Sequence, residues 1–171
     1  MEEQLRGFIK ARFGEAMVRE EEFRGEQSFH IKPEALIEIC QAFLDDNDLQ
    51  VRFLSDITAV DWLGHERADE GRFEVIYNLY SLTHAYRFFV KVHLPADHPR
   101  IASLCDLWPG ADWMEREVYD LFGIEFEGHP CLEKILTPDD LVGHPLRKDF
   151  PLTYEQPQFT WNKDQPPEVV R

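Results

Sequence analysis

Two histidines stand in a repeated Gly-His-Pro, at 128–130 and 143–145, with Cys131 directly after the first. His129, Cys131 and His144 are soft donors of the type that hold zinc, but a closed tetrahedral site needs a fourth ligand at sensible spacing, and none follows. The alternative is two rigid turns, because proline after each histidine fixes the backbone and leaves the imidazoles to hydrogen-bond the main chain. That alternative is the expectation, with no metal ligand assigned. Gly123-Ile124-Glu125-Phe126-Glu127-Gly128 has the glycine spacing of a phosphate loop. Two glutamates inside it would repel phosphate, and His129-Pro130 stands where Lys-Ser/Thr is needed. No GxGxxG occurs, so no dinucleotide or flavin fingerprint is present.

Acid–base chemistry fares no better. Glu115 and Glu117 are two apart on a predicted helix and point to different faces, whereas Arg116 and Asp120, four apart, can pair along it. Cys40, Cys105 and Cys131 are widely spaced without a CxxC, which excludes the usual zinc ribbon or iron–sulfur ligation and suits a reducing compartment. No nucleophile stands beside an activating base. The chain is therefore expected to have no active site of its own. The charge left over, in Glu115-Arg116-Glu117 and Leu146-Arg147-Lys148-Asp149-Phe150-Pro151, lies beside aromatic residues in the manner of protein–protein interfaces.

The elements that must carry these residues follow from periodicity. Leu5, Phe8, Ile9 and Phe13 repeat at helical spacing, and Gly14 ends the helix. A hairpin with arms Ala16–Glu20 and Ser28–Lys32 follows, with Gly25 in its turn. Pro33 opens a second helix whose buried stripe is Leu36, Ile39, Cys40, Phe43 and Leu44, with Cys40 serving as a small core hydrophobe. Arg52–Trp62, Arg72–Leu82 and Ala85–Leu94 alternate as strands with one wet face, and Thr83-His84 marks a hairpin turn without glycine. His93 and His98 are read as surface residues. His98–Leu107 is predicted to be a helix, and Asp112 starts another with Glu115 completing a capping box. Met114, Val118, Leu121 and Phe122 form its apolar face and Gly123 closes it. The predicted fold is α+β, with helices packed on a mostly antiparallel or mixed sheet of about five strands. It divides into a domain over 1–125 and a long irregular, proline-rich C-terminal arm over 126–171, suited to wrapping a partner.

With 171 residues, 43% hydrophobic and 13% aromatic, the chain can build one proper core. A net charge of −15 argues against nucleic acid and against an anionic lipid surface. Met1-Glu2-Glu3-Gln4 has neither a basic nor an apolar leader region, so no signal peptide is expected. Apolar runs of a few residues exclude direct membrane insertion by a helix.

Glu115 to Ile124, then Gly128-His129-Pro130, Ile135-Leu136, Pro138-Asp139-Asp140 and Gly143-His144-Pro145-Leu146-Arg147-Lys148-Asp149-Phe150-Pro151 together resemble the 30 kDa subunit family of respiratory complex I. Asp56–Trp62, Arg72–Tyr77 and Trp108–Ala111 extend the likeness upstream, while Glu133 and Leu141 depart from its common pattern. The resemblance implies a cofactor-free, non-catalytic subunit on the peripheral arm of a proton-translocating NADH:quinone oxidoreductase. It also implies that FMN, iron–sulfur clusters, NADH and quinone are handled elsewhere in the complex. The implied partners are the large quinone-pocket (49 kDa-type) subunit and iron–sulfur subunits, at the cytoplasmic face of the inner membrane. Related domains serve membrane-bound nickel–iron hydrogenases and quinone reductases fed by other donors, which is the alternative. Partner contact is assigned to Glu115, Arg116, Glu117, Asp120, His129, Asp139, His144, Arg147, Lys148, Asp149 and Phe150.

Overall fold

A computed structural model describes residues 2–152. The first helix, α1 (Glu2–Phe13), leads into the hairpin β1 (Met17–Phe23) and β2 (Glu26–Ile31). Arg24 and Gly25 both take positive φ, 54° and 79°, which is the two-residue turn whose twist suits a hairpin. Pro33–Ala35 forms one 3-10 turn before α2 (Leu36–Asp45), so Pro33 opens the helical segment as expected. The Asp46 side chain ends α2 by accepting the backbone N–H groups of Asp48 and Leu49 at 3.0 and 2.8 Å.

Strands β3 (Phe53–Asp61), β4 (Phe73–Ser81) and β5 (Tyr86–Leu94) complete a five-stranded mixed sheet in the order β1-β2-β5-β4-β3. Only the β2–β5 pair is parallel. The β4–β5 turn spans Leu82–Ala85, where Ala85 supplies a positive φ of 49° in place of glycine. Hydrogen bonds from Thr83 to Gln50 and between His84 and the Asp48 carbonyl hold that turn against the end of α2.

One sheet face is the core. Phe29, Val75, Tyr77, Leu79, Phe88 and Val90 are completely buried there. Phe43 of α2 meets Phe88 edge-on at 5.3 Å between ring centroids, and Phe8 of α1 stacks on Phe43 at 5.8 Å. The third helix, α3 (Ala111–Phe122), closes the same face along β3 with Val118 and Phe122. Edge strand β1 is polar, with Glu20 and Glu22 paired to Arg6 and Lys10 of α1. Such charges discourage pairing with a foreign strand.

Three expectations are corrected. His98–Leu107 is not a helix: His98 sits at φ 50°, Arg100–Ala102 is strand β6, and Leu104–Leu107 form a turn. β6 pairs in parallel with β7 (Glu125–Glu127), and the Ser103 hydroxyl and Leu104 N–H bond a side chain, not a helical carbonyl. The capping box is also absent. Gly110 occupies the cap of α3 without a side-chain bond, and Glu115 turns into the protein. His93, read as a surface residue, is largely covered, while His98 is exposed. Gly128 to Leu152 contain no helix or strand, and the part of the arm beyond Leu152 lies outside the described residues.

Burial ranks the three thiols: Cys40 is enclosed, Cys105 half-covered and Cys131 exposed. Burial pushes the Cys40 thiol far up and the Cys105 thiol up to about 11. A maleimide titration should therefore modify Cys131 first and Cys105 slowly, reaching Cys40 only in denaturant. Native-state labelling of Cys40 at the rate of Cys131 would contradict this packing.

Candidate functional site

An α-helix leaves its last carbonyls without intrahelical partners. In α3 nearly all of these are taken by the segment that follows. The Gly123 N–H returns to the Tyr119 carbonyl at 2.8 Å. His144 Nδ1 bonds the Asp120 carbonyl at 2.9 Å, and the Leu146 N–H bonds that of Leu121 at 3.1 Å. Arg147 donates from Nε to the Phe122 carbonyl at 2.6 Å and from its NH2 group to that of Gly123 at 3.3 Å. The second Gly-His-Pro, extended through Leu146 and Arg147, is thus the C-terminal cap of α3, with a cation at the negative end of the helix. Gly123 is left-handed at φ 70°, and a Cβ there would collide with the His144 and Arg147 side chains.

The two inward carboxylates of α3 act from its flank. Asp120, fully buried, accepts the N–H groups of Ile135, Leu136 and Thr137 at 3.1, 2.8 and 2.9 Å and the Thr137 hydroxyl at 2.5 Å. Burial would raise its pKa, but the bonds from Thr137 and its two neighbours outweigh that and lower it. Glu115 accepts the Ser103 hydroxyl and the Leu104 N–H, both at 2.6 Å, and there burial wins and raises the carboxyl.

The first Gly-His-Pro also docks on α3. His129 Nδ1 accepts the Cys131 N–H at 3.0 Å, which leaves the proton on Nε2 to donate to the Asp112 carbonyl at 3.2 Å. The donor atoms of Cys105, Glu115 and His129 lie within 4.8 Å of one another. With Nε2 protonated, however, His129 offers no lone pair to an ion. Its contact with α3 and that of His144 are eight residues apart, about 12 Å along the helix, so the trio of His129, Cys131 and His144 is not brought together. Both histidines bond the main chain, as the reading of two rigid turns anticipated.

A third tie comes from the sheet. Asp61, at the end of β3 and fully buried, accepts Arg72 Nε and NH2 at 2.9 and 2.8 Å and the N–H groups of Leu63 and Lys148 at 3.0 and 2.9 Å. Arg72 also holds Asp149 at 2.7 Å, and the Arg72 and Arg147 guanidinium groups lie 4.8 and 5.0 Å from the Phe73 ring centre. Burial works to raise the Asp61 pKa, yet Arg72 and the two backbone donors bring it down to about 2.

Of the residues assigned to partner contact, Glu115, Asp120 and His129 thus face inward, and His144 and Arg147 spend their polar atoms on α3. Arg116 bonds the Glu133 carbonyl and lies over the Trp113 ring, and it reaches Asp112, not Asp120 as expected. Asp120 is unavailable to it because its oxygens are filled by 135–137. Glu117, Asp139, Lys148 and Asp149 are exposed, and Phe150 is half-buried near Gly143. Sequence reasoning missed Asp61 and Arg72, although a carboxylate in register with Ile57 and Ala59 on the core side of a strand signals a buried pair. It also missed the exposed apolar side chains of this region: Trp113, Leu136, Val142, Leu146 and Leu152.

Residues 29–156 match the protein family described as the respiratory-chain NADH dehydrogenase 30 Kd subunit. An NADH-quinone oxidoreductase subunit of Roseiflexus castenholzii is 44% identical over 91% of this chain and 87% of its own length. The like-named subunit of Geobacter metallireducens is 46% identical over 89% and 92%. Among solved structures, a trypsin-resistant fragment of Nqo5 is 34% identical with a TM-score of 0.66, covering 75% of this chain and 99% of its own. A chain of the membrane-bound sulfane sulfur reductase, an archaeal respiratory membrane complex, is 25% identical with a TM-score of 0.72, covering 89% and 86%.

Asp120→Ala should cost on the order of 3 kcal/mol and expose 135–150 to limited proteolysis while the sheet stays folded. Uniform loss of all cleavage resistance, or none, would show that the segment does not depend on Asp120. Because the Asp61 pKa is depressed on folding, its contribution is complete above the unfolded value near 4 and fades as pH falls towards 2. Asp61→Asn should accordingly flatten the acid limb of a stability–pH curve by an amount on the order of 2 kcal/mol.

Proposed function

Because the chain belongs to the family of the respiratory-chain NADH dehydrogenase 30 kDa subunit, we propose that it is a non-catalytic subunit of the peripheral arm of a proton-translocating NADH:quinone oxidoreductase. In this reading it holds no redox centre and supports the large quinone-pocket subunit and the neighbouring iron–sulfur subunits. FMN, the clusters, NADH and quinone then belong to the rest of the complex. Its place is the cytoplasmic face of the inner membrane, reached through those partners. No helix of the described residues is long and apolar enough to cross a membrane.

The observation that carries the proposal is the segment after α3, which is held by buried polar groups yet exposes apolar side chains. Leu136, Val142 and Leu146 are 61%, 80% and 50% exposed on a stretch with no regular structure. Large apolar groups presented beside Asp139, Lys148 and Asp149 suit an interface with an apolar centre and a charged rim. A segment already fixed in shape loses little further entropy on docking. In this scheme Glu115, Asp120, His129, His144 and Arg147 shape the surface from beneath, and Glu117, Asp139, Lys148, Asp149 and Phe150 meet the partner.

The domain of 1–125 and the arm of 126–171 fit the same picture. The likeness to a chain of an archaeal sulfane sulfur reductase favours a second reading, an equivalent subunit of a related respiratory membrane complex with other redox partners.

Tagged chain purified from native membranes in mild detergent should bring down a large quinone-pocket subunit, iron–sulfur subunits and a flavin-bearing NADH subunit. Recovery of the membrane partners without the NADH module would favour the second reading, and a lone chain would overturn both. Val142→Glu with Leu146→Glu should cut recovery of the large subunit at least fivefold with Tm unchanged. Undiminished recovery would move the interface elsewhere.

A further inference from the structure

On the sheet face away from the core, β2, β4 and β5 bring His30, Glu74 and His93 together, and Glu70 reaches in from the turn before β4. His93 Nε2 is 3.3 Å from Glu74 Oε1 and 3.6 Å from Glu70 Oε2, and His30 Nδ1 is 3.5 Å from the same Glu74 oxygen. The imidazole rings lie nearly parallel, 5.8 Å apart. Glu74 and His93 are more than nine-tenths buried, yet Glu74 Oε1 and His93 Nε2 have no hydrogen-bond partner. Two buried polar atoms 3.3 Å apart are costly unless a proton on the imidazole makes them an ion pair or a metal ion bridges them.

We propose that His30, His93, Glu74 and Glu70 form a binding site for one zinc-class divalent ion. Tetrahedral ligands at bond lengths of about 2.0–2.2 Å stand roughly 3.3–3.6 Å from each other. The His93–Glu74, His93–Glu70 and His30–Glu74 separations fall in that range, and the ligand atoms of His30, Glu70 and His93 lie within 4.8 Å of one another, so an ion held by these three needs side-chain adjustment to draw in Glu74 as the fourth ligand.

The outer atoms are already fixed for this task. His93 Nδ1 lies 3.3 Å from the Gly71 carbonyl and must carry its proton there, leaving the Nε2 lone pair for the ion. His30 Nε2 lies 3.2 Å from Glu21 Oε2 and donates to it, which frees Nδ1 on the side facing Glu74. Arg67 in turn holds the other Glu21 oxygen at 2.9 Å, and the Trp62 indole N–H holds Glu74 Oε2 at 3.1 Å. Each histidine is in the tautomer that coordination requires, and this separates the cluster from the one at His129. Without an ion, a proton on His93 Nε2 takes its place. Burial disfavours that proton, but Glu74, the Gly71 carbonyl and Glu70 outweigh burial and raise the His93 pKa.

Charge and access are consistent with an ion. Glu21, Glu70 and Glu74 face Arg19, Arg67 and Lys91, so the cluster has no excess of cations. Arg19 is the local competitor, holding Glu70 Oε1 at 2.5 Å and reaching His30 Nδ1 at 3.4 Å. It can keep Glu70 Oε1 while the ion takes Oε2, and only its long contact with His30 must break. A cavity of about 410 Å³ between Val18, Lys32 and Pro33 leads to the histidines. Zinc neither donates nor accepts electrons, so the site is a structural clip between β2, β4 and β5 and carries no redox role.

The test uses the full chain, stripped with chelator and titrated with Co(II) and then Zn(II). The expected result is the visible absorption of tetrahedral cobalt saturating at one ion per chain, and its displacement by zinc. His93→Gln and His30→Gln should each weaken binding at least tenfold, as should Glu70→Gln at the exposed rim, where folding is least at risk. His98→Gln should have no effect. Absence of saturable binding at 100-fold excess of metal over chain would overturn the proposal. So would wild-type affinity in folded His93→Gln, or binding abolished by Cys131→Ser instead.

Discussion

The C-terminus of α3 is the constraint on which the second half of the molecule depends. A helix ending at Gly123 presents carbonyls that water or protein must satisfy, and this one turns them towards the chain that follows. The His144 imidazole, the Leu146 N–H and the Arg147 guanidinium meet the carbonyls of Asp120, Leu121, Phe122 and Gly123 in order. Because the cap comes from a segment about twenty residues on, ending the helix also fixes the path of the arm. Gly123 is indispensable on two counts, its left-handed φ and the two side chains pressed against its Cα.

Buried carboxylates extend the same logic. Asp61, Glu115 and Asp120 would each be a liability in the core if left alone, since desolvation of an unpaired charge costs several kcal/mol. Each is surrounded by N–H and O–H donors from irregular chain: Leu63 and Lys148 for Asp61, Ser103 and Leu104 for Glu115, 135–137 for Asp120. The trade is mutual, because a loop has backbone donors with no ladder to join and a carboxylate has lone pairs to fill. Order in a region without helices or strands thus comes from a few polar anchors, with little apolar burial.

Which parts of the structure are legible in the sequence follows from this division. Strands β4 and β5 announce themselves through alternation, and α1 and α2 through apolar stripes, because solvent and core read those patterns directly. His98–Leu107 reads as a helix, and is not one, because its fate is decided by Glu115, a residue whose own sequence context suggests a cap. Asp120 pairs with Arg116 on paper for the same reason: spacing along one helix is visible, and donors fifteen residues away are not. His30 goes unremarked and His93 reads as a surface residue because both lie on the polar face of the alternation, where charge is normally solvated. Only the register of β2, β4 and β5 reveals that they share one carboxylate.

Polar anchoring has a consequence for recognition. Apolar burial would have drawn Leu136, Val142 and Leu146 inward, leaving a smooth polar surface. Anchoring through Asp120, His144 and Arg147 orders the backbone while leaving those side chains outside. The loss of backbone entropy, about 1–2 kcal/mol per residue, is then met during folding and not during association. A surface built in this way can bind through modest apolar contact, because its shape exists before the partner arrives. It also makes the surface sensitive to changes far from the contact, since a lost cap at Gly123 would loosen 144–147 and with them the proposed interface.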